Sequence, residues 1–212
     1  MLLFDVDNTL YPESSQMSAE IERRMSVFVA EFLGVSLEES NGLRQKGYEE
    51  FGTTLRWLQV QCGLDDPGVF LLRVHPENVA DYISPIQGLK HMLDSIDLPK
   101  AVMTNGPMHH ARRVLRHLGI EECFGRIYDL SFNDYQGKPY PQAFMKVLGD
   151  LDLASNEVLF IDDVPRYLDG FAALGGQCLL VDETGRHKHA PYRRIQSILD
   201  LPDYLENEHA KS

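Results

Sequence analysis

Asp5 and Asp7 stand where a short apolar run ends, in Leu2-Leu3-Phe4-Asp5-Val6-Asp7-Asn8-Thr9-Leu10. A turn beginning after Val6 brings both carboxylates round toward one ligand. Two carboxylates so placed suit phosphate chemistry, one as nucleophile and the other as acid and base. Three further polar motifs follow apolar runs or their loops: Thr104-Asn105-Gly106, Lys138-Pro139 and Asp162-Asp163. Singly, each could be a capping or solvated side chain. Together, at the carboxyl ends of parallel strands, they predict one site.

Phosphate monoesters resist attack because the nucleophile and the target are both anionic. A hard cation with oxygen ligands removes that obstacle, and magnesium is the expected ion. The residues assign themselves accordingly. Asp5 is the nucleophile that forms an aspartyl-phosphate. The metal is expected on Asp5, the backbone carbonyl of Asp7 and the Asp162/Asp163 pair, with either of the last two as the direct ligand. The Asp7 side chain is then free to protonate the leaving alkoxide and afterwards to activate water. Lys138 supplies positive charge to the phosphoryl oxygens, while Thr104 and the amide of Asn105 offer transition-state hydrogen bonds; Gly106 is expected with Asn105 among the substrate-binding residues.

The elements that must position these residues can be read from hydropathy. Apolar runs at 2–6, 100–104, 126–130, 158–161 and 178–181 alternate with helical patterns at 107–118, 139–148 and 165–174. That alternation predicts a parallel α/β sheet. Residues 13–82 differ: Ile21, Met25, Phe28, Val29 and Phe32 form one helical stripe, and helices are expected over 37–62 and part of 65–74. Gly34, Gly42, Gly47 and Gly63 should weaken or end individual segments. The expected organisation is a core of 1–12 and 83–212, re-entered near Ser84-Pro85 and Gly88 with a helix to about 95, and a helical cap at 13–82. The polar end beyond Leu205 is expected to fray.

Composition narrows the function. The 212 residues carry 20 Lys and Arg against 32 Asp and Glu, a formal net charge of −12, which argues against a nucleic-acid-binding face. Cys62, Cys123 and Cys178 are widely spaced and odd in number, so neither a zinc site nor a disulfide framework is expected. With a strand starting at Leu2 and no long apolar run, the expected location is the cytoplasm.

These four motifs resemble those of the haloacid dehalogenase superfamily, over essentially the whole chain. The resemblance implies a Rossmann-like phosphatase core with a cap inserted after the first strand, and the same roles for Asp5, Asp7, Thr104, Lys138, Asp162 and Asp163. Asp7 disfavours the dehalogenase branch, which lacks an acid–base residue there and does not need magnesium. Asp7-Asn8-Thr9-Leu10-Tyr11, the stretch from Tyr48 to Leu58, and Thr104-Asn105-Gly106 through Leu118-Gly119-Ile120 are similar to the pyrimidine 5'-nucleotidase group. That resemblance implies a nucleoside monophosphate, UMP or CMP, as substrate.

Within the cap, Thr53 and Thr54 could offer hydroxyls, Arg56 a cation and Trp57 a stacking surface to ribose and base. Tyr11 either marks the hinge or packs behind the catalytic loop. His75 and the His109-His110 pair have no metal spacing and read as solvated or supporting residues. Where many relatives carry serine and asparagine after the acidic pair, this chain has Val164 and Tyr167, which bears on support of the metal. Alternatives are a sugar-phosphate or phosphoglycolate-type phosphatase, a phosphomutase, and a non-catalytic phosphate-binding module. The oligomeric state is open.

Overall fold

The computed structural model describes residues 1–209. Six strands form one parallel sheet: β1 (Leu2–Phe4), β2 (Lys100–Met103), β3 (Arg126–Tyr128), β4 (Leu159–Asp162), β5 (Gln177–Val181) and β6 (Arg193–Ile195). Their order is β3-β2-β1-β4-β5-β6, so the winding reverses between β1 and β4. A ligand site belongs at the carboxyl ends of strands at such a reversal.

The central strands are apolar throughout because both faces are covered. Leu2 and Phe4 join Val102, Ile161 and Leu179 on one face, while Leu3 joins Met103, Phe160 and Leu180 on the other. Phe144, Phe160 and Phe171 pack as a trio of rings with centroids 5.2 to 5.5 Å apart beneath the second face. Helices α5 (Leu89–Ser95), α6 (Met108–His117), α7 (Pro141–Leu151) and α8 (Pro165–Ala172) cover the sheet, and α9 (Leu201–His209) closes the described chain.

Between β1 and α5 lies an all-helical cap: α1 (Met17–Leu33), α2 (Leu37–Phe51), α3 (Thr54–Gln61) and α4 (Pro67–Val74). The predicted stripe on α1 is largely buried, although Phe32 remains 40% exposed beside Phe28. Left-handed Gly34 ends α1 and Ser36 caps α2 by accepting the Glu39 amide. The stretch 37–62 breaks at Gly52, also left-handed, and Thr53 starts α3 by accepting the Arg56 amide.

Gly42 and Gly47 do not end α2, which runs through both. Gly47 is there because the Trp57 ring lies on it: a β-carbon at 47 would stand 2.4 Å from the indole. Two elements escaped the hydropathy pattern. Strand β6 is an edge strand with both arginines exposed and only Ile195 buried, and α9 is largely polar. That helix runs from Leu201 to His209; residues 210–212 lie outside the described chain.

The three cysteines are free and partly buried. No helix among the described residues is long and apolar enough to cross a membrane.

Candidate active site

The strand ends bring the predicted core residues together. Asp5 follows β1, with its amide still paired to the Ile161 carbonyl at 2.9 Å. The chain then turns, as Thr9 and Leu10 donate to the Val6 carbonyl at 3.3 and 3.0 Å. Asp162 ends β4, Asp163 follows it, and Thr104 follows β2. Carboxylate oxygens of Asp5, Asp162 and Asp163 all lie within 4.8 Å of one another, and all three residues are buried.

Lys138 reaches this cluster from the loop after β3. Its side chain is fully buried, and Nζ donates to Asp5 Oδ1 and to Asp162 Oδ2, each at 2.6 Å. The rings of Phe160 and Tyr167 stand 5.3 and 5.1 Å from Nζ. Tyr167, one of the two departures from the family pattern, therefore lies against the lysine. The other departure, Val164, contributes its backbone amide, which donates to Asp162 Oδ1 at 2.8 Å.

Asn105 acts structurally through its side chain. Its amide group donates to the Lys138 carbonyl at 2.9 Å, and its oxygen accepts the Lys138 amide at 2.8 Å. The lysine's backbone is thus clamped to the loop after β2. Thr104 Oγ1 accepts the Gly106 amide at 2.9 Å, so the three residues make a tight loop facing Asp7.

The electrostatics separate the two carboxylates of the loop after β1. For Asp5, burial raises the pKa, Lys138 pulls it down, and the charges of Asp162 and Asp7 raise it again, leaving it at about 7. Burial, Asp162 and Asp5 likewise hold Asp163 well above the ordinary carboxyl range. For Asp7, burial also raises the pKa, but His110, through its charge and hydrogen bond, and the Tyr11 hydroxyl outweigh it and bring Asp7 to about 2. Burial opposes the charge of Lys138, yet Asp162 and Asp5 more than offset it.

Three buried acids with one lysine between them leave uncompensated negative charge, and their donors are all hard oxygens. This donor set fits a divalent ion of the magnesium class. Asp162 already spends one oxygen on Lys138 and the other on the Val164 amide. Among the described residues Asp163 meets weaker neighbours, Asn8 Nδ2 at 3.4 Å and Arg186 at 3.7 Å.

A cavity of about 670 Å³ opens above these residues. Its floor includes Asp5, Asp7, Thr104, Asn105, Gly106 and Asp163, and its cap wall includes Asn41, Arg44, Gln45 and Tyr48 with Thr53 and Thr54. Asn41, Arg44, Gln45 and Tyr48 recur at the spacing of one helix face on α2, a polar stripe that sequence reasoning passed over. A larger hollow of about 830 Å³ lies on the hinge side, lined by none of the clustered acids.

Two predicted cap residues are not brought to the site. Trp57 is buried between α2 and α3 with its indole N–H donating to Gln61 at 2.8 Å, and neither it nor Arg56 lines the cavity. Thr53 lines the cavity while its hydroxyl caps α3. Conversely, Tyr11, four residues on, and His110 hold Asp7 from behind, and nothing in local spacing signals the histidine.

These shifts make a pH prediction for metal-free protein. Because the Asp5 value is raised from 3.8 to about 7, its contribution to stability is full below about pH 3.8 and is lost as pH rises through about 7. Asp7, lowered to about 2, contributes above its ordinary value and loses that contribution only as pH falls toward 2. The thermal midpoint in chelator should therefore fall between pH 5 and pH 8, and Asp5→Asn should flatten the fall. An unchanged slope in the variant would contradict the assignment.

Residues 1–175 match the hydrolase family described as haloacid dehalogenase-like hydrolase, and the chain belongs to that family. Phosphate metabolism protein 8 of Saccharomyces cerevisiae is 28% identical over 180 residues, covering 77% of this chain. The chain spans about half that relative's length, 55%. Among solved structures, a HAD phosphatase from Thermococcus onnurineus superposes with a TM-score of 0.66 at 16% identity, covering 96% of each chain. The HAD-hydrolase YfnB from Bacillus subtilis, in a form bound to magnesium, gives 0.63 at 17% identity, covering 96% of this chain and 97% of its own. At these identities the superpositions establish the fold: a parallel Rossmann-like core with a helical cap.

Proposed function

We propose that the chain is a magnesium-dependent phosphate monoester hydrolase that forms an aspartyl-phosphate on Asp5, with pyrimidine nucleoside 5'-monophosphates as its substrate class. The observation that carries this reading is the division of labour between two carboxylates of one loop. Asp5 is tied to Lys138 among the acids, whereas Asp7 is held apart by His110 and Tyr11.

Asp5, the Asp7 carbonyl and Asp163 would hold magnesium, with Asp162 supporting them through Lys138. Bound there, the ion supplies charge that lets an anionic nucleophile and an anionic phosphate coexist. The chain's own residues carry the steps. Asp7, a carboxylate in the free protein, takes up a proton as the anionic phosphate monoester binds beside it and raises its pKa. Asp5 attacks phosphorus, Asp7 gives that proton to the leaving oxygen, and the same carboxylate then takes a proton from the water that hydrolyses the acyl phosphate. Lys138, Thr104 and the Asn105 amide neutralise or hydrogen-bond the phosphoryl oxygens, with Gly106 leaving room for them beside Thr104.

We take residues 13–82 as the cap that covers the leaving group. The cavity's volume and the polar α2 face support a leaving group the size of a nucleoside, and with Trp57 withdrawn, half-buried Tyr48 supplies the aromatic surface. Thr54 and Thr53 stand beside it; Arg56 contributes charge only from outside the cavity.

The test is phosphate release with magnesium from UMP, CMP, dUMP, AMP, GMP, phosphoglycolate and several sugar phosphates. Preference for the pyrimidine monophosphates, reduced by Tyr48→Ala, supports the substrate reading. A profile led by phosphoglycolate or a sugar phosphate would replace it with a smaller-metabolite phosphatase on the same core. Slow release with phosphate passed to a sugar phosphate acceptor would indicate a mutase, and binding without release would indicate a phosphate-binding module.

A further inference from the structure

Asp7 presents its two oxygens to different surroundings. Oδ1 accepts the Tyr11 hydroxyl at 2.5 Å and His110 Nε2 at 2.7 Å. Among the described residues no donor reaches Oδ2, which points toward the Thr104–Gly106 loop: the position a β-carbon would take at Gly106 is 3.7 Å from Oδ2 and 3.3 Å from Thr104 Oγ1. A side chain at 106 would crowd the approach between them, and glycine leaves it open.

His110 is committed to this contact. Its side chain is fully buried, its Nδ1 has no partner among the described residues, and the bond to Asp7 is its one hydrogen bond. A ring whose only polar engagement is a carboxylate 103 positions away is costly to place in the core merely as filler. From the cap, His75 packs against it with centroids 4.7 Å apart. The His75 Nδ1–H is itself fixed on the Leu71 carbonyl at 2.8 Å, so the imidazole of His110 has a set orientation.

We propose that His110, together with Tyr11, is the positioning residue that fixes Asp7 by Oδ1 and so dedicates Oδ2 to proton exchange with the leaving group. The inference rests on the acid–base role of Asp7. In the step served, an Asp5 carboxylate oxygen bonds to phosphorus while the bond from phosphorus to the ester oxygen breaks. That oxygen keeps the electron pair and takes the proton from Asp7 Oδ2, leaving Asp7 as carboxylate. Both donors on Oδ1 survive the change, because the carbonyl oxygen of the acid and the oxygen of the carboxylate both accept.

The experiment measures leaving-group release in a single turnover, with magnesium, from β-glycerol phosphate and from p-nitrophenyl phosphate. The first leaves as a strongly basic alkoxide that needs a proton; the second leaves as a weakly basic phenolate that does not. His110→Leu should lower the first rate by about 10²-fold or more and keep the second within about threefold. His110→Gln, which restores an N–H donor near Nε2, should recover most of the loss, and Tyr11→Phe should show a smaller loss with the same selectivity. Equal losses on both substrates, or none on either, would overturn the proposal. Asp7→Asn is run in parallel. Selective loss there without selective loss at His110→Leu overturns this inference alone, whereas no selective loss at Asp7→Asn removes the acid–base reading and this inference with it.

Discussion

Lys138→Met should destabilise the metal-free protein by about 3–5 kcal/mol, the cost of stranding buried charge when one partner of a buried pair is removed. The lysine is wholly enclosed and divides its bonds between Asp5 and Asp162, so removing it leaves two carboxylates within 4.8 Å of each other and of Asp163 with no internal cation. Loss of the contacts to Phe160 and Tyr167 adds a smaller cost, about 0.5–2 kcal/mol. Methionine fills much of the volume, which isolates the charge effect from cavity formation. Urea denaturation at pH 8 measures the difference. Combining the change with Asp162→Asn should recover part of it, and lowering the pH to 5 should shrink it, because the raised carboxyl values let the acids neutralise themselves. A cost below about 1 kcal/mol would mean that the cluster is already discharged when the chain folds.

Asp5→Asn should reduce phosphate release by at least about 10⁴-fold, the scale on which loss of a nucleophile is felt when the surrounding binding groups remain. Asparagine keeps the shape and can still meet Lys138, so the fold should persist. It lacks the anionic oxygen that bonds to phosphorus. Asp7→Asn should behave differently, slowing the release of basic leaving groups most. A modest loss at Asp5→Asn would reassign the nucleophile, for which Asp7 is placed too far into the grip of His110 and Tyr11 to be a free substitute.

The parts of this arrangement that sequence made legible are those governed by local pattern. Strands β1, β2, β4 and β5 are buried on both faces and read as apolar runs, and the acids, Thr104 and Lys138 stand out because each follows such a run or its loop. Strand β6 did not read, since an edge strand with two exposed arginines has no apolar run. Cap contacts depend on how helices rotate. In α3, Trp57 faces inward with Leu58 onto Gly47, although its neighbours Thr53 and Thr54 reach the cavity. The α2 face of Asn41, Arg44, Gln45 and Tyr48 was visible as helical spacing, but only its placement over the cavity gives it meaning. His110 required the tertiary structure outright. The parallel pairing of β1 with β2 brings the start of α6 beside the β1 loop, a neighbour relation that no local spacing encodes.

Trapping the covalent intermediate tests the central claim most directly. Protein mixed with magnesium and its best phosphate ester is quenched in acid within a turnover, digested, and mapped by mass spectrometry after borohydride reduction of acyl phosphates. The account predicts modification at Asp5 alone, absent from Asp5→Asn, and, with p-nitrophenyl phosphate as the donor, whose leaving group needs no proton, in amount rising when Asp7→Asn slows hydrolysis. Modification at Asp7, at Asp162 or at Asp163, or turnover with no covalent species in either the native chain or Asp7→Asn, would contradict it.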